Sequence, residues 1–330
     1  SRKLFFNVIF IGLLIIIIIS IATSGDDEIK VPKGGAFVLK LNGALVIEKQ
    51  HSDPFDEFAS EAFGGSDMPR EILVRNVVKA LENAKQDKRI AALVLDLGRF
   101  SGGGLDKLRT VADAIEDFKT SEKPVIAMGD YYSQSQYYLA AHADKVYLNP
   151  EGGMLFDGYS RNRMYYKDAI EKLKVKTHVF KVGTFKSAIE PYLRNDMSDA
   201  AKEANEAWLS AYWTQYKTDV ATARGIEITD FDETVANFMP KFEAANGDLA
   251  LYALQNGWVD ELKTREAMRQ EMFALVGESE NGKGYKGITY DRYMKVINRP
   301  FPKKTKGDAI AVVVAKGTIL DGTQSAGAIG

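Results

Sequence analysis

Apolar and polar positions divide this chain into one long apolar stretch, a polar break, and then short apolar runs alternating with amphipathic ones. Residues 4–22 are apolar except for Asn7, Gly12 and Ser20, about the length that crosses a bilayer as a helix. Arg2 and Lys3 precede the stretch and Asp26, Asp27 and Glu28 follow it. The positive-inside bias then predicts a cytoplasmic amino end and an exported remainder. A cleaved signal peptide, cut near Ala22-Thr23-Ser24, is the rival reading, but the apolar run exceeds a usual signal core. Residues 26–35, with Pro32 and Gly34-Gly35, read as a polar linker.

Beyond it, residues 36–46 read as a buried strand and 51–68, rich in Gly, Ser, Asp and Phe, as a loop. Pro69 opens a helix, with Ile72, Leu73, Val77, Ala80, Leu81 and Ala84 on one face. Residues 90–97 are apolar enough to be a strand covered on both sides. A glycine turn, Ser101-Gly102-Gly103-Gly104, leads to a helix carrying Leu108, Val111, Ala112, Ile115 and Phe118. Strands at 125–129 and 145–148 bracket a helix at 133–143, and a helix at 165–173 precedes a strand at 177–182. Residues 199–224 form a long helix, capped by Asp196 or Ser198 and ended by Gly225. Its Trp208, Leu209, Tyr212, Trp213, Tyr216 and Val220 suit core or subunit packing. Residues 248–262 hold a further helix that stops at Gly257, and 277–306 read as a linker. Strands alternating with helices predict an α/β fold with largely parallel pairing.

Composition narrows the chemistry. The chain has 330 residues, room for one large or two modest domains. A net charge of -2 gives no basic excess, so nucleic acid is not an expected partner. There is no cysteine, and His51, His142 and His178 lack metal-ligand spacing. No metal or cofactor is expected.

The candidate chemistry lies in residues 179–198. Val179, Phe180 and Val182 are strand formers, Gly183 breaks the run, and Lys186 follows beside Ser187 and Ala188. A lysine hemmed in by Phe180, Phe185 and Tyr192 would be desolvated, which favours a neutral amine able to act as a general base. The alternative is a surface lysine lying over aromatic side chains.

The segment Lys-Ser-Ala-Ile-Glu-Pro-Tyr-Leu-Arg-Asn-Asp-Met-Ser, residues 186–198, closely resembles the lysine-bearing motif of the signal peptide peptidase A (protease IV) family in its long, tandem-domain form. The likeness runs from about Ala36 to the end of the sequence. It implies crotonase-like, Clp-protease-like domains and a Ser–Lys dyad in which Lys186 is the general base. In that family the nucleophilic serine lies in the second copy, in a Ser-Gly-Gly context, beyond Gly330. The corresponding place here is Gln134, which has no activatable hydroxyl. Ser133 and Ser135 are turned about 100° from it on a helix. The turn at 101–104 resembles the glycine pair that offers oxyanion amides in the second copy. A phosphate loop is not supported, because Leu-Asp-Lys follows Gly104.

A second copy is expected to start at the end of the sequence. With Gly317 set beneath Gly43, Val312, Val313, Ile319 and Leu320 fall beneath Val38, Leu39, Leu45 and Val46. Since it starts at Ser1 and stops inside this unit, the sequence reads as a piece of a longer protein. The expected organisation is an anchor at 1–25, a first domain at 36–276, a linker at 277–307 and the first strand of a second domain at 308–330. The resemblance implies a homotetrameric serine peptidase of the bacterial inner membrane. Its main domain would be periplasmic, and it would degrade cleaved signal peptides or other apolar peptides. A non-catalytic membrane-anchored scaffold and a crotonase-type acyl-CoA enzyme are the alternatives. The membrane stretch and the Lys186 motif speak against the latter.

Overall fold

Alternation of side chains along one strand sets the architecture. In β1 (Gly35–Val46), Phe37, Leu39, Leu41 and Leu45 face one side and Ala36 and Val38 the other. Both sets are buried, so the strand lies inside a sandwich of layers. The computed structural model describes residues 6–7, 9–15, 29–50, 70–231, 234–280, 282–298, 310–315 and 317–324. After β1 come β2 (Glu71–Leu73), α1 (Val74–Gln86), β3 (Ile90–Gly102), α2 (Leu105–Lys119), β4 (Val125–Tyr132), α3 (Gln134–Ala140) and β5 (Lys145–Met154). Then follow α4 (Lys167–Lys172), α5 (Glu190–Leu193), α6 (Asp199–Arg224), α7 (Val235–Ala244) and α8 (Leu249–Gln255). The order closes with β6 (Glu261–Leu262), α9 (Arg265–Val276), β7 (Gly287–Thr289) and α10 (Tyr290–Ile297).

The sheet runs β2-β1-β3-β4-β5-β6, with β7 also paired to β1, and each of these pairs is parallel. Parallel pairing needs crossovers, and α1, α2 and α3 supply them. They bury Val77, Leu81, Val111, Ile115, Phe118 and Leu139 against the first face. On the second face, Met268, Met272 and Val276 of α9 cover Ala36, Val38, Ala92, Val94, Ile126 and Tyr147. Past α9 that face turns polar, with Lys40 paired to Asp96 at 2.9 Å and Asp130 paired to Arg265. Gly43 of β1 has φ +121°, and a Cβ there would lie 2.0 Å from the Arg70 carbonyl oxygen. The strand therefore requires glycine where residue 70 crosses it.

Several elements depart from expectation. The helix expected from Pro69 starts at Val74, because Glu71–Leu73 pair with Ala44–Val46 as β2. Local helical spacing yields there to a strand-edge ladder. β3 continues to Gly102, so Ser101 and Gly102 belong to the strand and not to the turn. Residues 277–306, expected as a linker, contribute β7 and α10 to this same domain. Ile288, Tyr290, Tyr293 and Met294 are buried there, and the Phe37 and Tyr293 rings lie 5.0 Å apart. Residues 177–182 form no strand. At 310–320 Ile310, Val312, Val313 and Ile319 are exposed, and among the described residues there no strand forms beyond a single bridge at Ile319. Most of the predicted membrane span, and the loop at 51–68, lie outside the described residues. Residues 6–7 and 9–15 are helical, and among the described residues no helix is long and apolar enough to cross a membrane.

Candidate active site

The motif residues stand on an arm that leaves the sheet after β5 and returns at α6. Its base is aromatic. Phe156 packs against Trp258 at 4.5 Å, Phe231 at 5.3 Å and Tyr137 at 5.4 Å, and Tyr252 packs on Trp258 at 5.1 Å. The Tyr137 hydroxyl donates to the Trp258 carbonyl at 2.6 Å, and burial pushes that phenol above its ordinary pKa. The expected aromatic face of α6 divides accordingly. Tyr216 and Val220 are core, while Trp208 and Tyr212 are exposed.

Lys186 lies on the exposed part of the arm. The anticipated aromatic enclosure is absent in this chain: Phe180 is 98% exposed, Val182 85% and Phe185 56%. The physical reason is that residues 177–182 pair with no strand, so nothing folds these side chains over the amine. Its backbone, by contrast, is held. Lys181 Nζ donates to the Lys186 carbonyl at 3.3 Å, and Arg163 donates to the Ser187 and Ala188 carbonyls at 3.3 and 3.2 Å.

Behind the turn, Glu190 is 4% exposed. Its carboxylate accepts from the Ser198 backbone N–H at 3.2 Å and from the Ser198 hydroxyl. Burial works to raise the Glu190 pKa. The Ser198 hydrogen bonds and the charges of Lys181 and Arg194 outweigh it, and the carboxyl lies below its usual range. The same Ser198 hydroxyl accepts from the Ala201 N–H and caps α6, which Gly225 ends at φ +67°. Pro191 accepts from the Tyr166 N–H at 2.6 Å, and the Tyr166 and Tyr192 rings stack at 6.2 Å. The motif is thus clamped between α4 and α6.

The position of the expected nucleophile carries a different device. The Gln134 side-chain amide donates to the Gly158 carbonyl at 3.3 Å and accepts from the Gly158 N–H at 2.9 Å. The Gln134 carbonyl accepts from the Tyr216 hydroxyl at 2.9 Å. Gln134 therefore ties the start of the arm to the head of α3. Ser133 is spent as the cap of that helix, in a reciprocal pair with Gln136. Ser135 lies against Gly102, where φ is +96° and a Cβ would come within 2.8 Å of the Ser135 hydroxyl. Among the described residues, Lys186 makes no hydrogen bond to Ser133, Gln134 or Ser135. Arg163 and the Glu190–Ser198 pair escaped the sequence reading. The buried glutamate had a signal in Glu190-Pro191 at the start of a helix, but Arg163 had none.

The chain is thus a parallel α/β domain that carries Lys186 on an exposed arm. The model of "Peptidase family S49" matches residues 117–278, from the end of α2 past α9, and so includes the Lys186 arm. Protease 4 of Haemophilus influenzae is 38% identical over 323 residues, covering 97% of this chain and 52% of that protein. Protease 4 of Salmonella typhi is 34% identical over 333 residues, covering 100% of this chain and 53% of that protein. The chain belongs to peptidase family S49, in its signal peptide peptidase A (protease IV) group. It spans about half the length of these curated relatives. Among solved structures, an enoyl-CoA hydratase/isomerase family protein from Silicibacter pomeroyi is 16% identical. It covers 62% of this chain and 70% of that one with a TM-score of 0.34, too low to place the fold, which rests on the strand ladders above.

Proposed function

We propose that the complete protein is a membrane-bound serine endopeptidase that works through a Ser–Lys dyad. Lys186 supplies the base, and a serine outside residues 1–330 supplies the nucleophile. The observation that carries this reading is a division of labour within one domain. The family's lysine motif is present, with its backbone braced, while the matching nucleophile position holds Gln134, whose amide is committed to Gly158. The amine takes the serine hydroxyl proton as the oxygen attacks the scissile carbonyl carbon. Backbone N–H groups stabilise the oxyanion, and the proton passes to the leaving amine. Water then hydrolyses the acyl-enzyme by the same route in reverse.

Exposed Phe180, Val182 and Phe185 around Lys186 suit a substrate or partner that is itself apolar. Cleaved signal peptides have that character. The apolar stretch at 4–22, with its flanking charges, supports a single-pass anchor with the main domain on the exported side, while the bacterial inner membrane, a periplasmic domain and a homotetramer are what the family resemblance implies. The Gln134 tie also favours a second reading, a non-catalytic anchored scaffold. Both are tested by one comparison on an apolar peptide substrate. The complete protein is expected to hydrolyse it and residues 1–330 alone to leave it intact. Turnover by the fragment contradicts the divided site, and no turnover by the complete protein selects the scaffold.

A further inference from the structure

Three consecutive carbonyls, of Lys186, Ser187 and Ala188, each accept from a cation. Two of the three are served by one planar guanidinium. Arg163 reaches them from 23 residues before Lys186, with NH1 on the Ser187 oxygen and NH2 on the Ala188 oxygen. A guanidinium presents its donors in a rigid fork, so two contacts from one group fix the direction of the peptide planes as well as their position. The Ser187 carbonyl also accepts from the Glu190 N–H at 3.1 Å, which joins this brace to the first turn of α5. The Lys186 side chain has no hydrogen-bond partner of its own among the described residues. Its Cα is carried on the turn whose next two carbonyls Arg163 grips.

We propose that Arg163 is the positioning residue for the Lys186 amine, a role that rests on reading Lys186 as the general base. Arg163 donates to the backbone beside Lys186 and, among the described residues, makes no hydrogen bond to the Lys186 amine. It holds the turn so that the amine arrives at the serine hydroxyl in line, and a misplacement of about 1 Å at such a step can cost on the order of 100-fold in rate. The Ala188 contact is exposed and the Ser187 contact only part-buried. Water can replace the guanidinium there, so loss of Arg163 should reach turnover well before it reaches folding.

The test compares Arg163→Ala, Arg163→Lys and Lys186→Ala in the complete protein, reading kcat and KM on one peptide together with the melting temperature. Arg163→Ala is expected to lower kcat by roughly 10- to 100-fold with KM and melting temperature little changed. Added guanidinium ion is expected to restore part of that loss. Arg163→Lys, a single point charge that cannot fork, is expected to fall between. Wild-type kcat in Arg163→Ala beside an inactive Lys186→Ala overturns the positioning role and leaves the base standing. Full activity in Lys186→Ala overturns the base itself. A loss in Arg163→Ala that follows a fallen melting temperature, with no rescue by guanidinium ion, makes Arg163 structural and also overturns the proposal.

Discussion

Lys186→Ala in the complete protein is expected to lower peptide hydrolysis by about 1,000-fold or more, within the range that loss of a general base produces. Stability should barely move. Lys186 is exposed and its side chain closes no hydrogen bond, and surface substitutions of that kind stay within about 0.5 kcal/mol. The combination is diagnostic, because a merely solvated lysine would lose neither activity nor fold. Steady-state kinetics and thermal melting on the same preparation give both numbers. Activity within tenfold of the parent would remove the proposed role.

The other large expected effect is structural. Trp258→Ala should destabilise the domain by about 3–5 kcal/mol, the usual cost of deleting a buried aromatic side chain. Trp258 is fully enclosed, and Phe156, Phe231 and Tyr252 all pack on its ring. Phe156 is the second residue beyond β5, so the cavity would open at the root of the arm. Among the described residues the indole N–H has no hydrogen-bond partner. Trp258→Phe therefore forfeits only part of the packing and should cost less than half as much. Denaturant midpoints of the two variants check this. Equal losses would mean that the indole N–H matters after all.

The sheet was legible in the sequence because its signals are local. Residues 36–39, 90–95 and 125–128 are apolar on both faces, as strands between two helical layers must be. The end of α6 was equally plain, since Gly225 takes the left-handed conformation that a helix stop favours. What failed depended on distant partners. Ile72 and Leu73 have helical spacing, yet they are strand because Leu45 and Val46 lie beside them. Gly, Lys, Asn and Pro around β7 suggested a linker, but three residues, 287–289, pair with Ala36, Phe37 and Val38 and carry α10 back onto the domain. At the candidate site, the motif and its register pointed to Lys186 and Gln134. The Arg163 brace could not, for it joins a guanidinium to backbone oxygens, which leave no mark on residue type. Phe180 and Val182 are strand formers, yet residues 177–182 pair with no strand among the described residues and both side chains are exposed.

The proposed function depends on one amine being brought to a serine supplied by another part of the protein. The most direct measurement is an experimental structure of the complete protein, read at the Lys186 Nζ. The expected result is a serine hydroxyl from outside residues 1–330 at about 3 Å from that nitrogen, with Phe180, Val182 and Phe185 covered around it. Lys186 still open to solvent, with no serine hydroxyl in reach, would contradict the account.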